Sequence, residues 1–315
     1  MATIPRYAYF QGQIVPYAEA KVGVMTHALN YGTGCFGGIR GYWNDVEQQL
    51  FVFRPHDHFR RFLLSARLLM MDLGHTEDEL VNTTLELLRA EGLRTDSYIR
   101  PLAYKADEII GVRLHNLKAE MTIFAIPYGP YVDNEEGVHV TISSWRRVND
   151  NSIPARGKIT GAYVNSAFIK TDAMLAGYDE AIALNSDGHV AEGSAENVFM
   201  LRDGVVITPP ITDDVLEGIT RRTLITLVRD ELGMEVVERS IDRSELYMAD
   251  ELWMCGTGVQ VAAVTQVDQR PVGAGKMGPL VSDLRELFFD VVRGRVAKYR
   301  HWTMPVYVKE ATAAD

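Results

Sequence analysis

Residues 180–208 are cut too finely by turn signals to hold a helix. Glu180 to Asn185 is mostly apolar and stops at Ser186-Asp187-Gly188. His189 to Glu192 follows, then Asn197 to Arg202, then Asp203-Gly204 and Val205 to Thr208. Asp-Gly pairs supply the positive φ that tight hairpin turns demand. The spacing predicts a meander of short strands. Helical patterns flank it: Tyr163 to Ala176, with Gly177 as C-cap, and Gly218 to Leu232. Strands are expected at Val138 to Ser143, Glu251 to Cys255 and Val259 to Val264. A short helix is expected near Asp242 to Met248, and a last one over Leu280 to Tyr299.

The first half has its own pattern. Tyr7 to Pro16 alternates like a hairpin with Gln11-Gly12-Gln13 at its turn. Gln49 to Phe53, Ser97 to Tyr104 and Met121 to Ile126 read as strands. Pro55 to Met71 is an amphipathic helix with Phe59, Phe62, Leu63 and Ala66 on its apolar stripe. Thr76 opens another through Ala90, behind the acidic first turn Glu77-Asp78-Glu79. A chain of 315 residues is long for one core. Pro127 to Gly137 gathers Pro, Gly, Asn and charge between two strands. The expected layout is α+β: a small domain over 1–130, a linker over 131–137 and a larger domain over 138–315.

A formal charge of -10 argues against non-specific binding to nucleic acid or an anionic membrane. Cys35 and Cys255 form neither CxxC nor a zinc pattern, so a reduced, cytoplasmic protein is expected. His27, His56 and His58 lack metal-ligand spacing, and no metal is expected. No signal core or long apolar run is seen.

Several segments can carry chemistry. Lys158 sits in a Pro- and Gly-rich loop just before the Tyr163 helix. Its amine can form a Schiff base once neighbours lower its pKa, or it can be one charge of a basic loop. Glu192 ends a strand before a turn, as a cap or as a functional carboxylate. Gly218, Ile219 and Thr220 open a helix whose free N–H groups could hold a phosphate. Met254-Cys255-Gly256-Thr257-Gly258 is a second small-residue turn suited to an anion. Tyr98 and Arg100 share one face of a strand, where arginine can grip a carboxylate or join a surface ion pair. Two G-x-G-x-x-G matches, at Gly32-Gly34-Gly37 and Gly273-Gly275-Gly278, lack the strand and helix that a dinucleotide fingerprint requires.

Ten segments in order resemble the branched-chain aminotransferases, a fold type IV class of pyridoxal-phosphate enzymes. They are Met25-Thr-His-Ala-Leu-Asn-Tyr-Gly-Thr-Gly-Cys-Phe36, Gly38-Ile-Arg40, Tyr98-Ile-Arg100-Pro101, Ser143-Ser-Trp145, Ile153-Pro, Lys158, Glu192-Gly, Glu196-Asn197, Leu216-x-Gly218-Ile-Thr220-Arg221 and Gly256-Thr257. The resemblance implies a small N-terminal α/β domain and a larger C-terminal domain with a β-barrel-like core flanked by helices. It implies pyridoxal 5′-phosphate as cofactor. Lys158 matches the lysine that carries the cofactor and moves the proton. Glu192 matches the carboxylate paired with the pyridine nitrogen, and Tyr163 the tyrosine beside the phenolic oxygen. Arg61, Gly218, Ile219, Thr220, Gly256 and Thr257 match the phosphate ligands. Tyr98 and Arg100, with N–H groups of Thr257 and Gly258, match the carboxylate grip, and Arg40 is expected to help with a second charge. Tyr31, Phe36, Tyr128 and Tyr131 match an aromatic pocket for the side chain.

The resemblance further implies homodimers or larger homo-oligomers, with a loop near Val112 lent to the neighbouring site. It implies amino-group transfer from leucine, isoleucine or valine to 2-oxoglutarate. The chain departs from the pattern at Gly37, where the family commonly has Glu, and the lost carboxylate is expected to open space there. Enzymes acting on D-amino acids or (R)-amines and aminodeoxychorismate lyases share the fold and are the rival activities. A non-catalytic phosphate- or nucleotide-binding module is the rival of another class.

Overall fold

Gln11 and Gly12 take φ of 48° and 83°, the paired positive values of a two-residue hairpin turn. They join β1 (Tyr7–Phe10) to β2 (Gln13–Pro16), so Gln13 opens the second strand rather than closing the turn. The computed structural model describes residues 4–129 and 137–307 and divides into two units. The chain continues through α1 (His27–Tyr31), β3 (Gly34–Phe36), β4 (Ile39–Asn44), β5 (Gln49–Phe53), α2 (Pro55–Leu68), α3 (Glu77–Glu91), β6 (Ser97–Lys105) and β7 (Ala119–Pro127). Thr76 caps α3 in a reciprocal capping box with Glu79, and Gly92 ends it at φ 68°. α2 stops three residues before Met71, because Met70 takes φ 53°.

The second stretch comprises β8 (Val138–Arg146), a 3-10 turn (Thr160–Ala162), α4 (Tyr163–Leu175), β9 (Glu180–Leu184), β10 (Val190–Gly193), β11 (Asn197–Arg202) and β12 (Val205–Thr208). Then come α5 (Ile219–Asp230), β13 (Val236–Glu238), a 3-10 helix (Arg243–Met248), β14 (Glu251–Gly256), β15 (Gln260–Val267), β16 (Arg270–Pro271), α6 (Pro279–Val292) and β17 (Thr303–Pro305). The expected last helix is shorter: Gly294, at φ 70°, follows its end, and Ala297–Trp302 is a separate 3-10 helix.

In the first unit the sheet order is β17-β5-β4-β6-β7-β1-β2, with β3 on β6. α3 covers β1 and β7, and α2 packs on α3. A single cut near residue 130 does not describe the grouping. Residues 290–307 fall in the first unit because β17 pairs with β5 and Val306 N–H reaches Leu50 O. Residues 31–35 fall in the second, where Cys35 bridges Ile159. The expected linker lies almost wholly outside the described residues.

The second unit's order is β10-β9-β8-β15-β14-β11-β12-β13, with β16 on β15. The expected meander is therefore two hairpins with β8, β15 and β14 interposed after β9. Only Ser194, Ala195 and Glu196 join β10 to β11. Extended chain from Gly193 to Asn197 spans at most about 14 Å. Five strand spacings of a flat sheet would need roughly 24 Å. The sheet must curl until β10 meets β11, and Gly193 N–H does bond Glu196 O at 2.6 Å. Val138, Val140, Ile182, Val190, Val198 and Ala262 fill its core. The class is α+β with a curled, half-barrel sheet. Among the described residues no helix is long and apolar enough to cross a membrane.

Candidate active site

The second unit holds Lys158 on a loop braced from several sides. Asp150 Oδ1 accepts Ala155 N–H at 2.8 Å, and Asp214 Oδ1 accepts Asp150 N–H at 2.9 Å. Past the lysine, Thr160 Oγ1 accepts Gly34 N–H and lies 2.8 Å from Gly32 O. Gly161 N–H bonds Gly32 O, and a Cβ on Gly32 would stand 2.9 Å from Gly161 Cα. Two glycines thus let the backbone after Tyr31 lie against the lysine loop. The Gly32-Gly34-Gly37 pattern serves this approach, and strand β3 rather than a helix follows Gly32. Lys158 Nζ reaches Tyr163 Oη at 2.5 Å, at the first turn of α4.

Glu192 is the last residue but one of β10 and is 4% exposed. Arg147 Nε donates to its Oε1 at 2.8 Å. Asn197 Nδ2 and Leu216 N–H donate to its Oε2 at 3.0 and 3.1 Å. Three donors thus converge on one buried carboxylate. Arg147 is absent from the sequence reading. The tract Trp145-Arg146-Arg147 gives no reason to prefer its second arginine, yet Arg146 is exposed and the Arg147 side chain is 9% exposed.

Asn197 Nδ2 also donates to Leu216 O at 3.1 Å. Its Oδ1 fills the space beside Gly218, where a Cβ would stand 1.9 Å away. Gly218 is the N-cap of α5, and no side chain caps that helix. The N–H groups of Ile219 and Thr220 open it, the donor pattern of an anion cradle. Gly256 and Gln260 pair across the Thr257-Gly258 turn. Cys255 is fully buried, and desolvation raises its thiol pKa; burial likewise pushes Cys35 up to about 12. Neither is poised as a thiolate.

Tyr98 and Arg100, expected to grip a carboxylate, lie in the first unit. Arg100 Nη2 donates to Tyr98 Oη at 2.8 Å, and the guanidinium lies 4.4 Å from the Phe36 ring centroid. Tyr98 and Tyr128 rings stand 5.2 Å apart. Arg40 pairs with Tyr98 in register, is 2% exposed, and its Nη2 donates to the carbonyls of Tyr128 and Gly129 at 3.0 and 2.5 Å. Arg61 is half-buried on α2. Tyr131 lies outside the described residues.

One expectation fails here. Gly37 does not leave open space: a Cβ at that position would stand 2.6 Å from Pro101 Cγ. Pro101 follows Arg100 on β6, and Gly37 N–H bonds Pro101 O at 2.8 Å, so the proline ring fills the space beside the glycine.

The groups suit a phosphorylated pyridine aldehyde: an amine, a buried carboxylate for a ring N–H, and an uncapped helix start for a phosphate. Residues 34–267 match the family model for amino-transferase class IV. A probable branched-chain-amino-acid aminotransferase of Aquifex aeolicus is 48% identical over 96% of this chain and 97% of its own length. The branched-chain aminotransferase of Thermoproteus uzoniensis, solved with norvaline, is 42% identical with a TM-score of 0.92 over 96% of this chain and 100% of that one. The PLP-form of the Thermobaculum terrenum enzyme is 39% identical with a TM-score of 0.91 over 96% and 99%. With a family model covering most of its length and relatives aligned nearly end to end, this chain belongs to the class IV aminotransferases and, among them, to the branched-chain-amino-acid aminotransferases.

Proposed function

We propose that this protein uses pyridoxal 5′-phosphate to move the amino group of L-leucine, L-isoleucine or L-valine onto 2-oxoglutarate, giving the branched-chain 2-oxo acid and L-glutamate. The observation that carries this reading is one unit holding the Lys158–Tyr163 contact, the arginine-held Glu192 and the uncapped start of α5. When bound, the cofactor supplies an electron sink conjugated to the substrate Cα. Lys158 Nζ would carry the cofactor at rest, then take the Cα proton and return it. Tyr163 Oη, bonded to that amine, would stand beside the cofactor's phenolic oxygen. Glu192 would face the ring nitrogen and favour its protonated form, oriented by Arg147. Ile219 and Thr220 N–H groups would hold the phosphate, with Gly218, Gly256, Thr257 and Arg61.

Tyr98 and Arg100, with the Thr257-Gly258 turn, would receive substrate carboxylates. Tyr31, Phe36, Tyr128 and Tyr131 would wall the aliphatic side chain. Arg40 acts by fixing the backbone of Tyr128 and Gly129. The filled space at Gly37 gives no support to a wider pocket for (R)-amines. The working form is a homodimer or larger homo-oligomer, a reading supported by the exposed apolar Val24, Leu29, Ile110 and Val112 of the first unit. Both cysteines are free, which supports a cytoplasmic location.

Holoenzyme with L-leucine and 2-oxoglutarate should form glutamate. D-alanine and (R)-1-phenylethylamine should not replace leucine. Turnover of D-alanine without L-leucine would overturn the substrate assignment. Lys158→Ala should abolish the visible absorption of the lysine-bound cofactor along with turnover; an unchanged spectrum would remove Lys158 from its role.

A further inference from the structure

The turn between β10 and β11 carries a second carboxyl. Glu196 is 3% exposed, and its Oε2 accepts Ala195 N–H at 2.9 Å within the turn. The same oxygen stands 2.8 Å from where a Gly193 Cβ would be, so it lies flush on the backbone that follows Glu192. Gly193 N–H closes the turn onto Glu196 O at 2.6 Å. The side chain therefore packs against the residue after Glu192, and its backbone leads directly into Asn197, which bonds Glu192.

Burial and the carboxylates around Glu196 disfavour a charge on it, against the Ala195 N–H and Lys170, which favour one. Glu180 on β9 and Glu192 on β10 are buried carboxylates in electrostatic reach. Lys170 on α4 is the cation in reach, but its Nζ donates to Glu180 Oε2 at 2.8 Å and to Asp179 O at 2.6 Å. The Cys255 thiol on β14 is in electrostatic reach of Glu196 and of Arg221 on α5. Burial first, then Glu180, pushes the Glu196 carboxyl up to about 8.

We infer that Glu196 is a positioning residue for Glu192: its carboxyl braces the β10–β11 turn on which Glu192 and Asn197 are mounted. Ionisation would set a third buried carboxylate beside two others and push the turn apart. The brace is complete at neutral pH and is lost as pH rises through about 8. This rests on the reading of Glu192 as the carboxylate that faces the ring nitrogen.

The test compares holoenzymes of wild type, Glu196→Gln, Glu196→Ala and Glu192→Gln. Glutamine is a neutral isostere of the acid, so E196Q should keep kcat within about twofold at neutral pH, whereas E196A should lose about tenfold. The wild-type kcat and visible spectrum should both change as pH rises through about 8, and E196Q should lack that inflection. Infrared difference spectra should show a carboxylic-acid C=O stretch at neutral pH in wild type that is missing in E196Q. An inflection kept in E196Q, or no acid stretch in wild type, would overturn the inference; so would E196A matching wild type. Near-normal rates in E192Q would instead remove the Glu192 role, with the acid stretch still reporting on Glu196.

Discussion

Gly218→Ala tests the link between the Glu192 carboxylate and the start of α5. Gly218 has φ -67° and ψ 133°, which alanine adopts without strain. At such a position alanine would otherwise stabilise the fold by about 0.4–1 kcal/mol, by restricting the unfolded chain. Here the new Cβ would stand 1.9 Å from Asn197 Oδ1 and 3.2 Å from Arg221 Cβ. The Asn197 amide has to swing away, breaking its bonds to Glu192 Oε2 and Leu216 O. A bond to a charged acceptor contributes roughly 1.5–3 kcal/mol and a neutral one about 1, so the loss is about 3 kcal/mol. Thermal unfolding of the cofactor-free protein should register this loss, and the pyridoxal-phosphate dissociation constant should rise. Asn197→Ala alone breaks the same bonds. In the double variant the Asn197 clash is gone and only the 3.2 Å approach to Arg221 Cβ remains, so adding G218A to N197A should cost far less than G218A alone. Wild-type stability in G218A, or strictly additive costs in the cycle, would refute the reasoning.

Arg147→Met leaves Glu192 buried without its cation, and such breakage costs about 3–5 kcal/mol. The denaturant midpoint should fall accordingly, and the double variant R147M/E192Q should recover most of it. Glu245 offers an acid-side test away from the site. Arg239 first, and Arg202 as well, hold its carboxyl down at about 2 against an ordinary 4.5. A depressed carboxylate stabilises the fold fully above the unfolded pKa and loses that contribution as pH falls through the folded one. The advantage of wild type over Glu245→Gln should therefore be full above about pH 4.5 and fade toward about 2, as read from acid-unfolding midpoints of the two proteins.

Local chemistry was legible and long-range pairing was not. Asn197–Arg202 and Val205–Thr208 have the bounds their turn residues announce, since Asp203 and Gly204 take the positive φ themselves. The placing of β14 beside β11 depends on Asn197 facing Cys255, a choice no nearby residue signals. The site divides the same way. Lys158, Glu192 and Gly218 stand out by residue type and by family wording. Arg147 does not, because strict alternation would give it the same face as Trp145. Trp145 is 42% exposed, and β8 ends at Arg146 after a register shift, so the alternation that sequence reading relies on has already lapsed. At Gly37 a missing side chain reads as a hole, whereas the ring that occupies it belongs to a different strand.

The curled sheet also explains why Asn197 matters more than its size suggests. In the proposed roles, the carboxylate for a ring nitrogen and the helix start for a phosphate would serve one bound cofactor, so their spacing has to be kept within narrow limits. Glu192 is the last residue but one of β10 and Gly218 starts α5, and the chain between them passes through β11, β12 and a long loop. Nothing local would hold that spacing. Asn197 does so with one side chain: its Nδ2 bonds both Glu192 and Leu216 O, and its Oδ1 occupies the place of a Gly218 Cβ. Leu216 N–H closes the same triangle onto Glu192. Because β10 and β11 meet only where the sheet curls, the curl places Asn197 opposite Glu192. A sheet of the same strands left flat could carry both residues and still fail to set the distance.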